Sequence, residues 1–81
     1  MIVAYRFRTA DYAYTTQLKL QNLIGARHVN TETRADRANK CRIRRLTYRL
    51  SEEDALAAKA RLTKHFAGVP PHQMLEVDID D

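Results

Sequence analysis

The chain changes abruptly from a strand-like pattern to a helix-start signal at Ser51. Before this point, apolar side chains recur along residues 41–50 with the alternation that is typical of a half-buried strand. Ser51 and Asp54 form a capping box in its Asp variant, and Glu52 and Glu53 suit the positive end of a helix dipole. We therefore predict a strand over residues 41–50 and a helix that begins at Glu52.

The helix that begins at Glu52 is followed by a final strand. Its apolar residues recur at helical spacing, and a glycine and two prolines within residues 68–71 end it. Residues 73–80 then alternate between apolar and acidic side chains, which indicates a strand with one buried side. Three acids face outward on this strand: Glu76, Asp78 and Asp80.

The first third of the chain predicts one strand and one helix. Residues 1–8 alternate, and we expect Tyr5 and Phe7 to face the core. Apolar residues of segment 11–24, Tyr12 included, gather on one helical arc, and Gly25 supplies a stop signal. Part of the same segment also alternates and contains two threonines, so a strand over that part remains an alternative.

The middle of the chain is harder to assign. Residues 28–29 suggest a short strand, and residues 30–39 are so polar that they predict an exposed loop. Along residues 41–50 the apolar set changes parity at Arg44 and Arg45. A β-bulge there would keep all the apolar side chains of the strand facing inward, with Tyr48 in the core, and we predict one.

The order β, α, short β, β, α, β predicts a single α+β domain over residues 1–81. It is the order of the ferredoxin-like βαββαβ sandwich, a four-stranded antiparallel sheet with both helices on one face. In that topology the first strand lies between the third and the fourth. Arg6 and Arg8 would then lie beside the outward acids of the last strand, where opposite charges attract.

Positive charge is concentrated in the first part of the chain. Residues 1–50 carry eleven Lys or Arg and three Asp or Glu, a net +8, whereas residues 51–81 carry three and seven, a net −4. If the C-terminal acids neutralise Arg6 and Arg8, the positive charge that remains without a nearby acid is suited to contact with phosphate. The candidate nucleic-acid-binding residues are Arg34, Arg37, Lys40, Arg42, Arg44 and Arg45.

The sequence contains no recognisable catalytic or cofactor-binding constellation. The three histidines and Cys41 show no metal-ligand spacing, no glycine loop could cradle a phosphate, and we expect neither a metal nor a cofactor. A lone cysteine cannot form an intramolecular disulfide, which suits a reducing compartment. No segment resembles a signal peptide or a membrane span, so we expect a cytoplasmic protein with no membrane partner.

The spacing of Phe7, residues 18–24 (Leu-Lys-Leu-Gln-Asn-Leu-Ile) and residues 46–51 (Leu-Thr-Tyr-Arg-Leu-Ser), followed by a last strand of alternating acids, resembles that of GhoS-type antitoxins. These are small ferredoxin-like proteins related in fold to the small CRISPR spacer-integration subunit. The resemblance implies a cytoplasmic dimer that acts on RNA by cutting a toxin transcript. Relatives in this fold group often carry Asp just after the first strand's aromatic residue, where this chain has Arg8. We therefore expect binding without cleavage.

We expect a homodimer, because a short second strand would leave a sheet edge to cover. The expected function is binding of RNA or DNA backbone, with RNA favoured, in a small regulator of toxin-antitoxin or mobile-element type. One alternative is a protein interaction module, such as a phage-type inhibitor that docks on an acidic host protein. The other is a metal-dependent endoribonuclease that uses Asp11 or the C-terminal acids.

Overall fold

A computed structural model describes residues 1–66 and 74–79 of the chain. Their six elements follow the predicted order: β1 (Ile2–Phe7), α1 (Ala10–Ile24), β2 (His28–Asp36), β3 (Cys41–Tyr48), α2 (Glu52–His65) and β4 (Met74–Asp78). Segment 11–24 is helical throughout, so the strand alternative is wrong. The predicted helix-ending residues 68–71 lie outside the described residues. Among the described residues, neither helix combines the length and the apolar character that crossing a membrane requires.

The four strands form one antiparallel sheet in the order β2-β3-β1-β4. The first strand thus lies between the third and the fourth, as predicted, and Ile2 is opposite both Thr47 of β3 and Asp78 of β4. Both helices pack on one face of this sheet, here called the helix face, and the other face is the open face. The ferredoxin-like α+β sandwich predicted from the sequence is confirmed.

The core lies between the helix face and the two helices. Tyr5, Tyr48 and Phe7 are buried in it, as predicted. Burial of a side chain such as that of Phe7 contributes about 1.5–3 kcal/mol to stability. The helices contribute these buried residues: Ala13, Thr16, Leu20, Ile24, Ala55, Ala58 and Leu62.

Local capping contacts fix the ends of both helices. The Ser51 hydroxyl accepts a hydrogen bond from the Asp54 backbone N–H, and α2 begins at Glu52 as predicted. At the start of α1 the Thr9 hydroxyl accepts a hydrogen bond from the Tyr12 backbone N–H. α1 ends at Gly25, whose φ of 78° is the left-handed conformation that glycine adopts without strain.

The second strand is long, so the prediction of a short second strand is wrong, and so is the predicted loop over residues 30–36. Residues 37–39 of that loop do form a turn, and the predicted exposure is confirmed for residues 30–35. β2 pairs with β3 residue by residue from Asn30 opposite Thr47 to Asp36 opposite Cys41. Residues 29–35 are exposed on both faces, because β2 is an edge strand that neither helix covers. Such a strand forms through backbone hydrogen bonds and needs no apolar alternation, so its sequence resembles that of a loop.

The predicted bulge at Arg44 and Arg45 is also wrong. The register between β1 and β3 is continuous from Ile2 opposite Thr47 to Phe7 opposite Arg42. The parity change in the sequence arises because Ile43 lies on the open face, whereas Leu46 and Tyr48 lie on the helix face. Ile43 is only 9% exposed, which we attribute to the long side chains beside it on neighbouring strands. The register shifts occur elsewhere, between Ala4 and Tyr5 in the β1–β4 pair and between His28 and Asn30 in the β2–β3 pair.

Candidate nucleic-acid interface

Positive charge collects at one end of the sheet, where β1 ends and the turn between β2 and β3 lies. We call residues 6–8 and 34–42 the hairpin end. Its strands are aligned by the pairs Phe7 opposite Arg42 and Asp36 opposite Cys41. It contains a single acid, Asp36, and six basic residues: Arg6, Arg8, Arg34, Arg37, Lys40 and Arg42.

Asp36 is bound within the hairpin end. Its Oδ2 accepts hydrogen bonds from Arg6 Nε at 3.1 Å and from Asn39 Nδ2 at 2.8 Å, and its Oδ1 accepts from the Asn39 backbone N–H at 3.3 Å. Cys41 Sγ lies 3.9 Å from the same Oδ2. The hydrogen bonds from Asn39, aided by Arg6 and opposed by desolvation, hold the pKa of the Asp36 carboxyl below its ordinary value.

The contact between Arg6 and Asp36 was not predicted from the sequence. Arg6 was expected beside the acids of the last strand, and its described ion pair reaches across β3 to Asp36 of β2. In β4, the positions of Glu76 and Asp78 are opposite Ala4 and Ile2. Arg8 lies beyond the end of β1 and is exposed, and Asp80 lies outside the described residues. Arg8 therefore belongs to the hairpin end, and the sequence analysis omitted it from the candidate site.

The turn at residues 37–40 presents two further cations to solvent. Lys40 adopts a φ of 52°, the left-handed conformation that closes the turn, and its N–H donates to the Arg37 carbonyl at 3.4 Å. Both side chains are exposed. The Asn39 contacts with Asp36 anchor the turn, so Arg37 and Lys40 project from a backbone that is held in place.

Two clefts flank the hairpin end and share Arg6 and Asn39 in their linings. One, of about 450 Å³, lies between the end of β1 and the start of α1 and is also lined by Arg8 and Tyr12. The other, of about 490 Å³, is lined by residues from Arg34 to Arg37 and by Ile43. Tyr12, which was expected on the apolar arc of α1, is 37% exposed at the first cleft.

Arg44 is a candidate residue that makes structural contacts. On the helix face, its Nη1 donates to Gln17 Oε1 at 3.1 Å and its Nε to Thr33 Oγ1 at 3.4 Å. Its guanidinium carbon lies 5.1 Å from the centre of the Phe7 ring, within the range of a cation–π interaction. Arg44 therefore ties β3 to β2, to α1 and to the core.

The other five candidate residues are divided between two faces and the turn. Arg34 and Arg45 lie on the open face, where Arg45 is opposite Glu32. Arg42 follows the parity of the helix face but is exposed, because it lies at the outer end of β3. Within residues 1–66 and 74–79, no hydrogen bond or ion pair engages the side chains of Arg8, Arg34, Arg37, Lys40 or Arg42.

The described residues hold no group of three His, Cys, Asp or Glu side chains placed to bind a metal ion. Asp11, proposed for the nuclease alternative, is exposed in the first turn of α1. Of the C-terminal acids proposed with it, Asp80 and Asp81 lie outside the described residues.

Comparisons with protein-family models, curated proteins and solved structures found no match to this chain. The resemblance to GhoS-type antitoxins therefore stays a prediction.

Proposed function

We propose that this chain binds the phosphate backbone of a nucleic acid, RNA in preference to DNA, through its hairpin end. One observation carries the proposal: five exposed cations without a described partner lie at this end of the sheet, while the single acid among them is bound to Arg6 and Asn39. The five residues are Arg8, Arg34, Arg37, Lys40 and Arg42.

The chemistry of these side chains suits phosphate. An arginine guanidinium donates two parallel hydrogen bonds to an anionic oxygen pair, and four of the five cations are arginines. They are spread along two strands, a turn and the end of a third strand, so they can contact successive phosphates. Such contacts fix the position of a backbone without reading its bases.

We further propose that the protein acts by binding and does not cut the strand, as a small cytoplasmic regulator of toxin-antitoxin or mobile-element type. Arg8 follows the aromatic residue of the first strand. Proteins in the fold group of the GhoS-type antitoxins, which this chain resembles, often carry Asp at that position. The carboxylate of Asp36 is held by Arg6 and by Asn39, which makes it a poor candidate for a metal ligand or a general base.

A second candidate function is docking on an acidic protein. It is favoured by Tyr14 and Leu18, which are 63% and 42% exposed and lie four residues apart on one side of α1. A protein partner could cover these apolar side chains, whereas a phosphate backbone gains nothing from them.

The test is fluorescence anisotropy with a labelled single-stranded RNA and a DNA of the same sequence, titrated over a range of salt. Four or five phosphate contacts on a single strand give a slope of about −3 in log K against log salt. We expect such a slope, with tighter binding to RNA. Absence of binding to both strands at low salt would refute the proposal.

The nuclease alternative is tested by incubating the same RNA with the protein in Mg²⁺ and, separately, in chelator. We expect intact RNA in both. Cleavage that requires Mg²⁺ would refute the proposal of binding alone and would support the endoribonuclease alternative.

A further inference from the structure

The outer edge of β2 is a pairing surface that no described strand covers. β2 is nine residues long and terminates the sheet. It contains no proline, and its one register shift lies at its start, between His28 and Asn30. Residues 30–36 therefore run as a regular strand whose outward N–H and C=O groups have no described strand beside them. Natural edge strands usually avoid this arrangement, because it is a template for pairing with another chain.

The side chains along this edge are complementary to a second copy of themselves. When two β2 strands run antiparallel about a two-fold axis at Thr33, Glu32 of each copy is opposite Arg34 of the other. Both residues lie on the open face, so the two opposite-charge pairs form on the same side of the joined sheet. On the helix face Thr33 meets Thr33 and Thr31 meets Ala35, which are small side chains without charge.

The neighbouring registers are less favourable. An axis at Glu32 puts the two Glu32 carboxylates opposite each other, and an axis at Arg34 does the same for the two guanidiniums. An axis at Ala35 would match Arg34 with Asp36, but the overlap would then pass beyond the end of β2. A parallel arrangement in register places like charges side by side along the whole edge.

We infer that two copies of this chain pair through antiparallel β2 edges centred on Thr33, with reciprocal Glu32–Arg34 ion pairs. The two four-stranded sheets then form one continuous eight-stranded sheet. Because the two-fold axis is perpendicular to the sheet, all four helices lie on one side and both open faces lie on the other. The interface is isologous, so it closes at the dimer and leaves only the β4 edges outside.

The inference does not depend on the proposed nucleic-acid binding. In the dimer Arg34 meets Glu32 of the other copy, and Arg8, Arg37, Lys40 and Arg42 remain for phosphate. The two hairpin ends project from opposite sides of the axis, because the paired strands are antiparallel. Each copy thus keeps its own basic surface, and dimer formation can fail or succeed separately from RNA binding.

The experiment uses two charge-reversed variants of the full chain, E32R and R34E, in analytical ultracentrifugation. In each variant alone, both 32–34 charge pairs across the interface become like-charge pairs. Mixing the two variants restores opposite charges at both positions. Circular dichroism checks that each variant is folded, and a variant that fails this check is replaced by E32Q or R34Q, which only removes the attraction.

We expect the wild-type chain to dimerise, each variant alone to dissociate at least tenfold more readily, and the equimolar mixture to recover a dimer. The recovered species is a heterodimer, which a mass tag on one variant identifies. A wild-type chain that stays monomeric up to millimolar concentration overturns the inference. Variants that still dimerise as tightly as the wild type also overturn it, because the interface then lies elsewhere.

Discussion

Arg6 of β1 reaches across β3 to Asp36 at the end of β2, with its Nε 3.1 Å from Oδ2. This ion pair joins two strands that are not neighbours in the sheet. Asp36 also receives the backbone and side-chain N–H groups of Asn39, so one carboxylate anchors both the turn and the first strand. The backbone that carries the cations of the hairpin end is therefore held in place by these contacts. This reduces the loss of conformational entropy when an anion binds.

The contacts of Asp36 predict a pKa below that of an ordinary aspartate. Because the folded-state pKa is lowered, the stability that ionised Asp36 provides is present above about pH 4, the ordinary carboxyl value, and is lost as pH falls through the folded-state pKa. A carbon NMR titration of the Asp36 carboxyl measures this directly. We expect Asn39→Ala to raise the pKa more than Arg6→Gln, because Asn39 is the larger cause.

An Asp36 carboxyl that titrates in the ordinary range in the wild type would contradict the arrangement of the turn.

Two buried tyrosines should respond in opposite ways to loss of the hydroxyl. Tyr5 Oη donates to the Ala13 carbonyl at 2.7 Å, so Tyr5→Phe removes a buried hydrogen bond and should cost about 1 kcal/mol of unfolding free energy. The Tyr48 hydroxyl is buried without a hydrogen-bond partner among the described residues. Tyr48→Phe removes an unsatisfied polar group and should leave stability unchanged or raise it.

Urea denaturation of the two tyrosine variants and the wild type measures this difference. Each variant is the control for the other, because the chemical change is identical. A larger loss of stability for Tyr48→Phe than for Tyr5→Phe would show that the Tyr48 hydroxyl has a partner and would contradict the core described above.

Arg44 and Arg42 provide a second matched pair, two residues apart on β3. Arg44→Met loses a cation–π contact and two side-chain hydrogen bonds, and should cost about 1–2 kcal/mol. Arg42→Met removes an exposed side chain and should change stability by less than about 0.5 kcal/mol. Thermal unfolding of both variants checks the difference. Equal destabilisation would mean that Arg44 is a surface cation like Arg42.

Much of the fold follows from local signals in the sequence. Ser51 and Asp54 predict where α2 begins, Gly25 predicts where α1 ends, and alternation identifies β1 and β4, because caps and half-buried strands leave local marks. β2 has no such signal in its sequence, because an edge strand that is exposed on both faces pairs through its backbone alone and needs no apolar alternation. Its length emerges only from the register with β3.

The candidate site was predicted only in part, because its geometry also depends on the register between strands. The concentration of charge is visible in the sequence, but the face on which each arginine lies depends on the register. Ile43 on the open face was read as a bulge, so the parity of its neighbours was misassigned. Arg44 and Arg8 also differ from their predicted roles: Arg44 is held in the structure, and Arg8 belongs to the basic surface.

The most direct test of the basic surface compares two triple variants of equal net charge for binding to single-stranded RNA at low salt. One neutralises the hairpin end, and the other removes exposed cations on the helices and at the opposite end of β3. The substitutions are Arg37→Gln, Lys40→Gln and Arg42→Gln in the first variant, and Lys19→Gln, Arg49→Gln and Lys59→Gln in the second. We expect the first to weaken binding by about tenfold or more and to reduce the salt slope by about 2, with a much smaller effect of the second. Equal weakening by the two variants would show that net charge, and not the hairpin end, attracts the RNA, and would contradict the proposed interface.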